Sequence, residues 1–255
     1  MNAYTKKKLS ELELIDLAKA IELQEMNLDS ASLPFDDRLN LILDTLIQDR
    51  ETRHIKRLIH NAFLKYPTAD INTLDYKARE LNPEIIYNLA KMGTVESATN
   101  IIITGPAGAG KTYLACALGV AACKAGFRTY YVRMPDIIRN FENQRDNLRE
   151  LKKYQKRIGN YVVLIIDEWL CEKLSDKNAK WIYELMEQRN GNNPTIFVGQ
   201  YPKDTWYERL GGGTLAESIL DRIVHNAYPI NTTDTNLRQV YDAKRFQSLI
   251  DTFDD

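Results

Sequence analysis

Residues 105–112 read GPAGAGKT, directly after the β-branched run NIIIT (100–104) and directly before the alanine-rich run YLACALGVAACKAG (113–126). The eight residues match G-x-x-x-x-G-K-[ST] at every fixed position. A glycine-rich loop between a strand and a helix lets successive backbone N–H groups turn inward around a phosphate, and the N-terminus of the following helix favours the same anion. This phosphate loop, residues 105–112, therefore predicts nucleotide binding by an α/β domain.

The phosphate loop supplies the candidate cofactor contacts. Lys111 can reach the β- and γ-phosphates of ATP, and the Thr112 hydroxyl can bind Mg²⁺, which normally keeps several waters. An ordinary strand–loop–helix turn is the alternative, but the strand and helix that the motif requires are both present. We expect ATP and Mg²⁺ as cofactors, bound by Gly105, Pro106, Ala107, Gly108, Ala109, Gly110, Lys111, Thr112 and Tyr113.

Polar residues end the two most apolar predicted strands, YVVLIIDE (161–168) and PTIFVGQ (194–200). Such strand ends line the ligand crevice of open α/β sheets. We expect Asp167 to hold Mg²⁺ through its water shell and Glu168 to act as a general base on the attacking water. Gln200 could sense the γ-phosphate. Two solvated carboxylates and a capping amide are the alternative interpretation.

Strands alternate with helix-length segments from Asn100 onward, which predicts a parallel sheet with helices on both faces. Five runs are candidate strands: NIIITG, FRTYYVRM, YVVLIIDE, PTIFVGQ and NAYPINT. Residues 1–66 instead show helical periodicity, with a second, longer helix ended by Pro67. We predict a helical N-terminal domain for assembly or DNA contact over residues 1–66 and an α/β ATPase domain over residues 67–255.

Composition excludes several classes of protein. The net charge is −1, which argues against a globally basic nucleic-acid binder. The three cysteines show no CxxC spacing, so we expect neither a zinc site nor a disulfide framework. No run is apolar over the roughly 18 residues of a membrane span. The expected location is the cytoplasm, without a membrane partner.

One segment, residues 128–157, is nevertheless basic, with nine basic and four acidic residues. The spacing predicts one helical face that carries Arg145, Arg149 and Lys152 or Lys153. Such a stripe could follow DNA phosphates with little reading of bases and strong sensitivity to salt. A solvated helix face is the alternative interpretation.

A second basic stretch, residues 50–57, could also contact DNA or could pack against a neighbouring subunit. The predicted DNA-contact residues in both stretches are Arg139, Arg145, Arg149, Lys152, Lys153, Lys156, Arg50, Arg53 and Arg57.

The order of these features resembles an AAA+ ATPase over residues 100–238. The phosphate loop, the acidic strand end, the polar end of the next strand and the helix segment ILDRIVH (219–225) follow one another as in that class. The short ending resembles the DnaC/IstB branch, with a reduced C-terminal lid. The segment LPFDDRLNLILDTLIQDRETRHIKRLIHNAFLKYPTADINTLDY (33–76) resembles the basic helical region of IstB-like proteins.

The resemblance assigns roles to individual residues. It implies that Lys111 and Thr112 bind nucleotide and Mg²⁺, that Gln200 is a sensor of phosphate, and that Arg222 is an arginine finger offered to a neighbouring subunit. It also implies a second phosphate-sensing arginine near the C-terminus, at Arg238, where the segment TNLRQ matches the family only in part. The expected catalytic residues are therefore Glu168, Lys111, Arg222 and Gln200.

The family is known for ATP-dependent assembly on duplex DNA, DNA remodelling and delivery of the target to a cognate transposase. The resemblance thus implies a homo-oligomer, either a ring or a helical filament. A DnaC-like loader of a replicative helicase shares the same core and stays open. A small-molecule P-loop kinase, monomeric or dimeric, and a non-hydrolysing nucleotide-dependent scaffold are the more remote alternatives.

Overall fold

The structure is a computed structural model that describes residues 1–27, 32–232 and 237. The chain divides into two compact units, Met1–Arg57 and Leu58–Asp255. Helix α3 (Phe35–Asn61) continues through this division. The domain boundary after residue 66 stays a prediction.

The first unit contains two short helices, α1 (Ala3–Glu11) and α2 (Ile15–Glu25), and most of α3. The side chain of Asn2 accepts a hydrogen bond from a backbone N–H of the first turn and so begins α1. Large apolar side chains remain exposed on this unit, whereas Ala18, Ala20 and Ile42 are buried. The exposed side chains include Leu12, Leu14, Ile15, Leu23, Met26, Phe35 and Ile47.

The predicted helix up to Pro67 is too long, because α3 ends at Asn61. Phe63 then adopts a left-handed backbone conformation with φ of 53°, which ends the helical run before the proline. The last turn of α3 is nevertheless anchored, since Leu58 and Ala62 are buried in the core of the second unit.

The second unit is built on a five-stranded parallel sheet in the order β2-β3-β4-β1-β5. All five predicted strands are present, so the α/β prediction is confirmed. Their bounds are β1 (Asn100–Thr104), β2 (Thr129–Arg133), β3 (Val163–Asp167), β4 (Thr195–Gly199) and β5 (Ala227–Asn231). Strands β1 and β4 are neighbours at the centre of the sheet, although β2 and β3 lie between them in sequence.

Helices cover both faces of the sheet. They are α4 (Pro83–Ala90), α5 (Gly93–Glu96), α6 (Lys111–Lys124), α7 (Met134–Gln144), α8 (Leu148–Gly159), α9 (Asp176–Arg189), α10 (Trp206–Arg209) and α11 (Gly213–Val224). Alternate residues of each strand enter different cores: Ile101 and Ile103 pack with α6, whereas Ile102 packs with α9 and α11. This double burial explains the nearly continuous apolar runs in the sequence. Within the described part of the chain, no helix combines the length and apolarity needed to cross a bilayer.

Candidate nucleotide-binding site

The phosphate loop leaves the carboxyl end of β1 and enters α6. Gly108 and Gly110 have φ of 86° and 77°, a backbone conformation that residues with a Cβ rarely adopt. The Lys111 side chain is buried at the start of α6, and its Nζ donates to the Pro106 carbonyl oxygen at 2.6 Å. The lysine thus lies across the loop, where a phosphate held by the loop amides would meet its positive charge.

Asp167 connects the phosphate loop to the carboxyl end of β3. Its Oδ2 accepts hydrogen bonds from the Thr112 hydroxyl at 2.9 Å and from the Tyr131 hydroxyl at 2.7 Å, and its Oδ1 accepts from the Glu168 backbone N–H at 2.8 Å. Burial and the adjacent Asp167 carboxylate raise the pKa of Tyr131 above its ordinary value, so its hydroxyl stays a proton donor. These bonds fix the carboxylate beside Thr112.

The Thr112 and Asp167 side chains suit Mg²⁺ because both present hard oxygen atoms, 2.9 Å apart, at the foot of the phosphate loop. No group of three or more His, Cys, Asp and Glu side chains able to hold a metal occurs among the described residues. Mg²⁺ commonly takes one or two protein ligands and completes its shell with water and phosphate oxygens. The site therefore fits Mg²⁺ that arrives with a nucleotide.

Glu168 follows Asp167 and is held by a second charged group. Arg133, the last residue of β2, donates from Nε to Oε1 of Glu168 at 2.9 Å and from Nη2 to Oε2 at 2.6 Å. Glu168 also has a φ of 56°, an unusual conformation for a residue with a Cβ, of the kind that clusters at functional sites. The predicted general base is therefore engaged by an arginine from the neighbouring strand.

These groups line a cavity of about 800 Å³ whose walls include Gln200. Gln200 is exposed and directly follows β4, beside the carboxyl ends of β1 and β3. Leu237 also lines the cavity, and its backbone N–H donates to the Gly108 carbonyl oxygen at 3.1 Å. The structure thus brings together the phosphate loop, Asp167, Glu168 and Gln200. Arg238 lies outside the described residues.

Arg222 does not lie in this cavity. It is near the end of α11, and its backbone oxygen accepts a hydrogen bond from the Asn100 side chain at the amino end of β1, whereas the phosphate loop follows the carboxyl end. Its guanidinium forms an ion pair with Glu187, donates to the Tyr183 hydroxyl at 3.1 Å and lies over the Tyr183 ring. Arg222 therefore lies at the amino ends of the strands, whereas the nucleotide cavity of its own subunit lies at their carboxyl ends.

The predicted single basic face is wrong, because the segment forms two helices. Helix α7 ends at Gln144, and the Asn147 side chain caps α8 by accepting from the Glu150 backbone N–H at 3.2 Å. Arg145 therefore lies in the connection between α7 and α8, and Arg139 belongs to α7. The exposed face of α8 carries Arg149, Lys152, Lys153 and Lys156.

Local ion pairs occur in both basic stretches. Arg139 pairs with Asp136 at 3.3 Å and Lys153 with Glu150 at 2.6 Å, each on its own helix. In the first unit, Arg53 of α3 pairs with Asp16 of α2 at 2.7 Å. Exposed pairs of this kind contribute little energy, so they do not prevent these side chains from contacting phosphates. Arg50 and Arg57 are also exposed on α3.

Sequence reasoning missed three residues around the nucleotide site. Tyr131 and Arg133, both on β2, hold Asp167 and Glu168, and Arg79 contacts the phosphate loop from the segment before β1. The pairing of β2 with β3, Arg133 opposite Asp167, is the feature that brings the first two into the site. The position of Arg133 at the end of a predicted strand could have marked it as a site residue, but no motif marks Arg79.

The sheet order, the phosphate loop and the acidic end of β3 define an ATP-binding protein with the AAA+ fold. Two solved structures agree on the fold. The DnaC helicase loader superposes with a TM-score of 0.57 at 23% identity over 66% of this chain and 99% of that chain. DnaI gives a TM-score of 0.56 at 20% identity over 71% and 99%.

The chain belongs to the IstB-like ATP-binding protein family, whose sequence profile matches residues 7–244. The insertion sequence ATP-binding protein y4pL of Sinorhizobium fredii is 32% identical over 233 residues, 91% of this chain and 94% of that protein. The ATP-binding protein of insertion sequence IS1162 from Pseudomonas fluorescens is 32% identical over 206 residues, 80% and 89% of the two chains. The expected family is therefore confirmed.

Proposed function

We propose that this protein is a Mg²⁺-dependent ATPase that assembles on duplex DNA as a homo-oligomer, remodels the DNA, and recruits or stimulates a cognate transposase for target selection. The observation that carries the ATPase proposal is the joint placement of Thr112, Asp167 and Glu168 around the cavity behind the phosphate loop. The relatives' association with insertion sequences supports the transposase as partner. The proposed location is the cytoplasm.

In the proposed hydrolysis, different residues of this chain bind the triphosphate, hold Mg²⁺ and activate the attacking water. The loop amides and Lys111 bind the triphosphate, Thr112 and Asp167 hold Mg²⁺, and Glu168 takes a proton from the attacking water. Mg²⁺ would neutralise charge that develops on the phosphate oxygens. Gln200 lies where it can orient the γ-phosphate. We infer that Arg222, which lies at the amino ends of the strands, completes the site of a neighbour and not its own.

A homo-oligomer also suits the first unit. Its exposed large apolar side chains, such as Met26 (80% exposed) and Phe35 (75% exposed), are available for contact with another subunit. We propose that second copies of this chain cover some of these side chains.

Growth of the complex tests the function as a whole. We expect mass photometry of the full chain to detect large complexes only when both ATP and duplex DNA are present. Because the proposed contacts are to phosphates, the affinity should fall by roughly a hundredfold or more when salt rises from about 50 to about 200 mM. Association that ignores nucleotide would contradict the proposal.

The basic residues of α8 provide a second test of DNA binding, for which α9 provides the matched control. A triple change, Arg149→Ala, Lys152→Ala and Lys156→Ala, should weaken DNA binding and flatten its salt dependence. Changing Lys173, Lys177 and Lys180, exposed on α9 and in the segment before it, to alanine also removes three charges and should have little effect. Equal loss in both variants would indicate a general charge effect. A transposition assay with the cognate transposase then tests the partner.

Because Arg133 binds the Glu168 carboxylate, we expect this protein to hydrolyse ATP slowly in the absence of DNA. While Arg133 donates to both carboxylate oxygens, these oxygens are occupied and less accessible to an attacking water. Arg133 directly precedes α7, the first helix of the basic segment. We therefore expect Arg133→Met to raise DNA-independent hydrolysis several-fold, measured as phosphate release. Arg128→Met, directly before the first residue of β2, is the control and should leave hydrolysis unchanged. A fall in hydrolysis in Arg133→Met would contradict the proposed effect of Arg133.

The two main alternatives make different predictions. A helicase loader would bind a replicative helicase in place of a transposase, and the match to DnaC at 23% identity supports only a shared fold. The family match extends over the N-terminal region from residue 7, which supports the transposition proposal. A small-molecule kinase would turn over ATP with a rate per protein molecule that depends neither on DNA nor on the protein concentration.

A further inference from the structure

The segment between α3 and α4 places a buried arginine beneath the phosphate loop. Arg79 is 5% exposed, and its Nη1 donates to the Gly110 carbonyl oxygen at 3.0 Å and to the Ala109 carbonyl oxygen at 3.4 Å. Its guanidinium carbon lies 5.5 Å from the centre of the Tyr113 ring. Arg79 thus contacts the backbone of the loop and also lines the cavity that the loop borders.

Gly110 and Arg79 fit each other closely. A Cβ added to Gly110 would lie 1.7 Å from Nη1 and 2.6 Å from Cζ of Arg79. The arginine therefore occupies the space that the absent side chain leaves open. Its bonds also fix the direction of the Ala109 and Gly110 carbonyl groups. Because each peptide unit is planar, directing these carbonyls outward directs the following N–H groups toward the cavity.

Among the residues that the structure describes, no acidic side chain balances the charge of Arg79. Its acceptors are neutral carbonyl oxygens, no carboxylate of the described residues forms an ion pair with it, and its buried Nε meets no acceptor within that described part. Burying a cation in this way costs free energy. A bound polyphosphate in the adjoining cavity would provide the missing negative charge, so the arrangement favours a nucleotide function over a purely structural one.

We propose that Arg79 is a positioning residue that holds the phosphate loop in its anion-binding shape before nucleotide arrives and adds positive charge at the wall of the cavity that would hold the phosphates. The inference rests only on the nucleotide-binding part of the proposed function. It needs neither hydrolysis, DNA nor a transposase. Arg79 touches the loop and not the reacting atoms, so its removal should weaken binding while changing the turnover of bound ATP little.

Calorimetric titration of the full chain with ATP, ADP and tripolyphosphate tests the proposal. Arg79→Met keeps the apolar stem of the side chain and should lose about tenfold in affinity for all three ligands, the effect of removing a charged hydrogen-bonding group. Arg79→Lys keeps the charge without the planar fork and should lose several-fold. Tripolyphosphate separates the phosphate loop from the base, because it contains no nucleoside.

Arg128→Met is the matched control, because Arg128 lies 5.2 Å from the Tyr161 ring centre but does not touch the phosphate loop. It should bind all three ligands like the unaltered protein. Unchanged affinity in Arg79→Met, or a loss limited to ATP and ADP, would overturn the proposal.

If Arg79→Met fails to melt cooperatively, Arg79→Lys decides, and unaltered tripolyphosphate binding in that variant would overturn the proposal. The result of this titration does not depend on whether the protein assembles on DNA or acts with a transposase. A protein whose assembly ignores DNA can still show the Arg79 effect, and the reverse also holds.

Discussion

Arg222→Ala is expected to bind ATP with nearly unaltered affinity and to hydrolyse it about a thousandfold more slowly. We expect this because Arg222 lies at the amino ends of the strands, away from the nucleotide cavity of its own subunit. An arginine offered to a neighbour stabilises charge on the transferred phosphoryl group and contributes little to ground-state binding. Phosphate release and ATP titration together measure the two effects. Normal turnover would exclude the finger.

Mixing two inactive variants tests whether Arg222 acts between subunits. Lys111→Ala should lose nucleotide binding but keep its finger, whereas Arg222→Ala keeps the nucleotide site. Together they should recover part of the activity, because some interfaces then combine an intact site with an intact finger. An action of Arg222 within its own chain predicts no recovery at any ratio of the two proteins.

Glu187→Gln is the control for lost structure. It weakens the ion pair that Glu187 makes with Arg222 but leaves the guanidinium in place. The Glu187 side chain is about half exposed (53%), so Glu187→Gln should cost little stability. If Glu187→Gln hydrolysed ATP as slowly as Arg222→Ala, the ion pair and not a finger would explain the effect.

The positions of the candidate site residues were predictable where they follow from local sequence. The phosphate loop is one continuous motif, and the apolar runs that precede Asp167 and Gln200 are long enough to mark buried strands. Parallel strands then bring their carboxyl ends to one sheet edge. Local patterns and a general rule of topology were therefore sufficient for the loop, Asp167, Glu168 and Gln200.

Other features depend on register and tertiary packing. The pairing of Arg133 opposite Asp167 decides that Arg133 reaches Glu168, and no spacing within β2 reveals it. Arg79 lies in a segment with the composition of an ordinary polar connection, yet it is buried. The helix break near Arg145 depends on the Asn147 cap, which competes with continued helix through a single hydrogen bond.

Glu168→Gln is expected to bind ATP and to slow hydrolysis by about 10²- to 10⁴-fold, the range for loss of a general base. Glutamine has nearly the same shape but cannot accept the proton of the attacking water. Because ATP then persists, complexes with duplex DNA should also persist. Phosphate release and mass photometry measure these two results. Glu172→Gln, an exposed neighbour in the same loop, is the control and should hydrolyse normally.

The same variant decides how Arg133 acts. If Arg133 restrains hydrolysis by holding the Glu168 carboxylate, Arg133→Met should accelerate the protein with Glu168 but have no effect when Glu168→Gln is already present. This non-additivity is expected of residues in direct contact. Acceleration by Arg133→Met in both backgrounds would mean that Arg133 acts on ATP or on assembly and not through Glu168. Normal hydrolysis by Glu168→Gln would remove Glu168 as the general base and the proposed restraint with it.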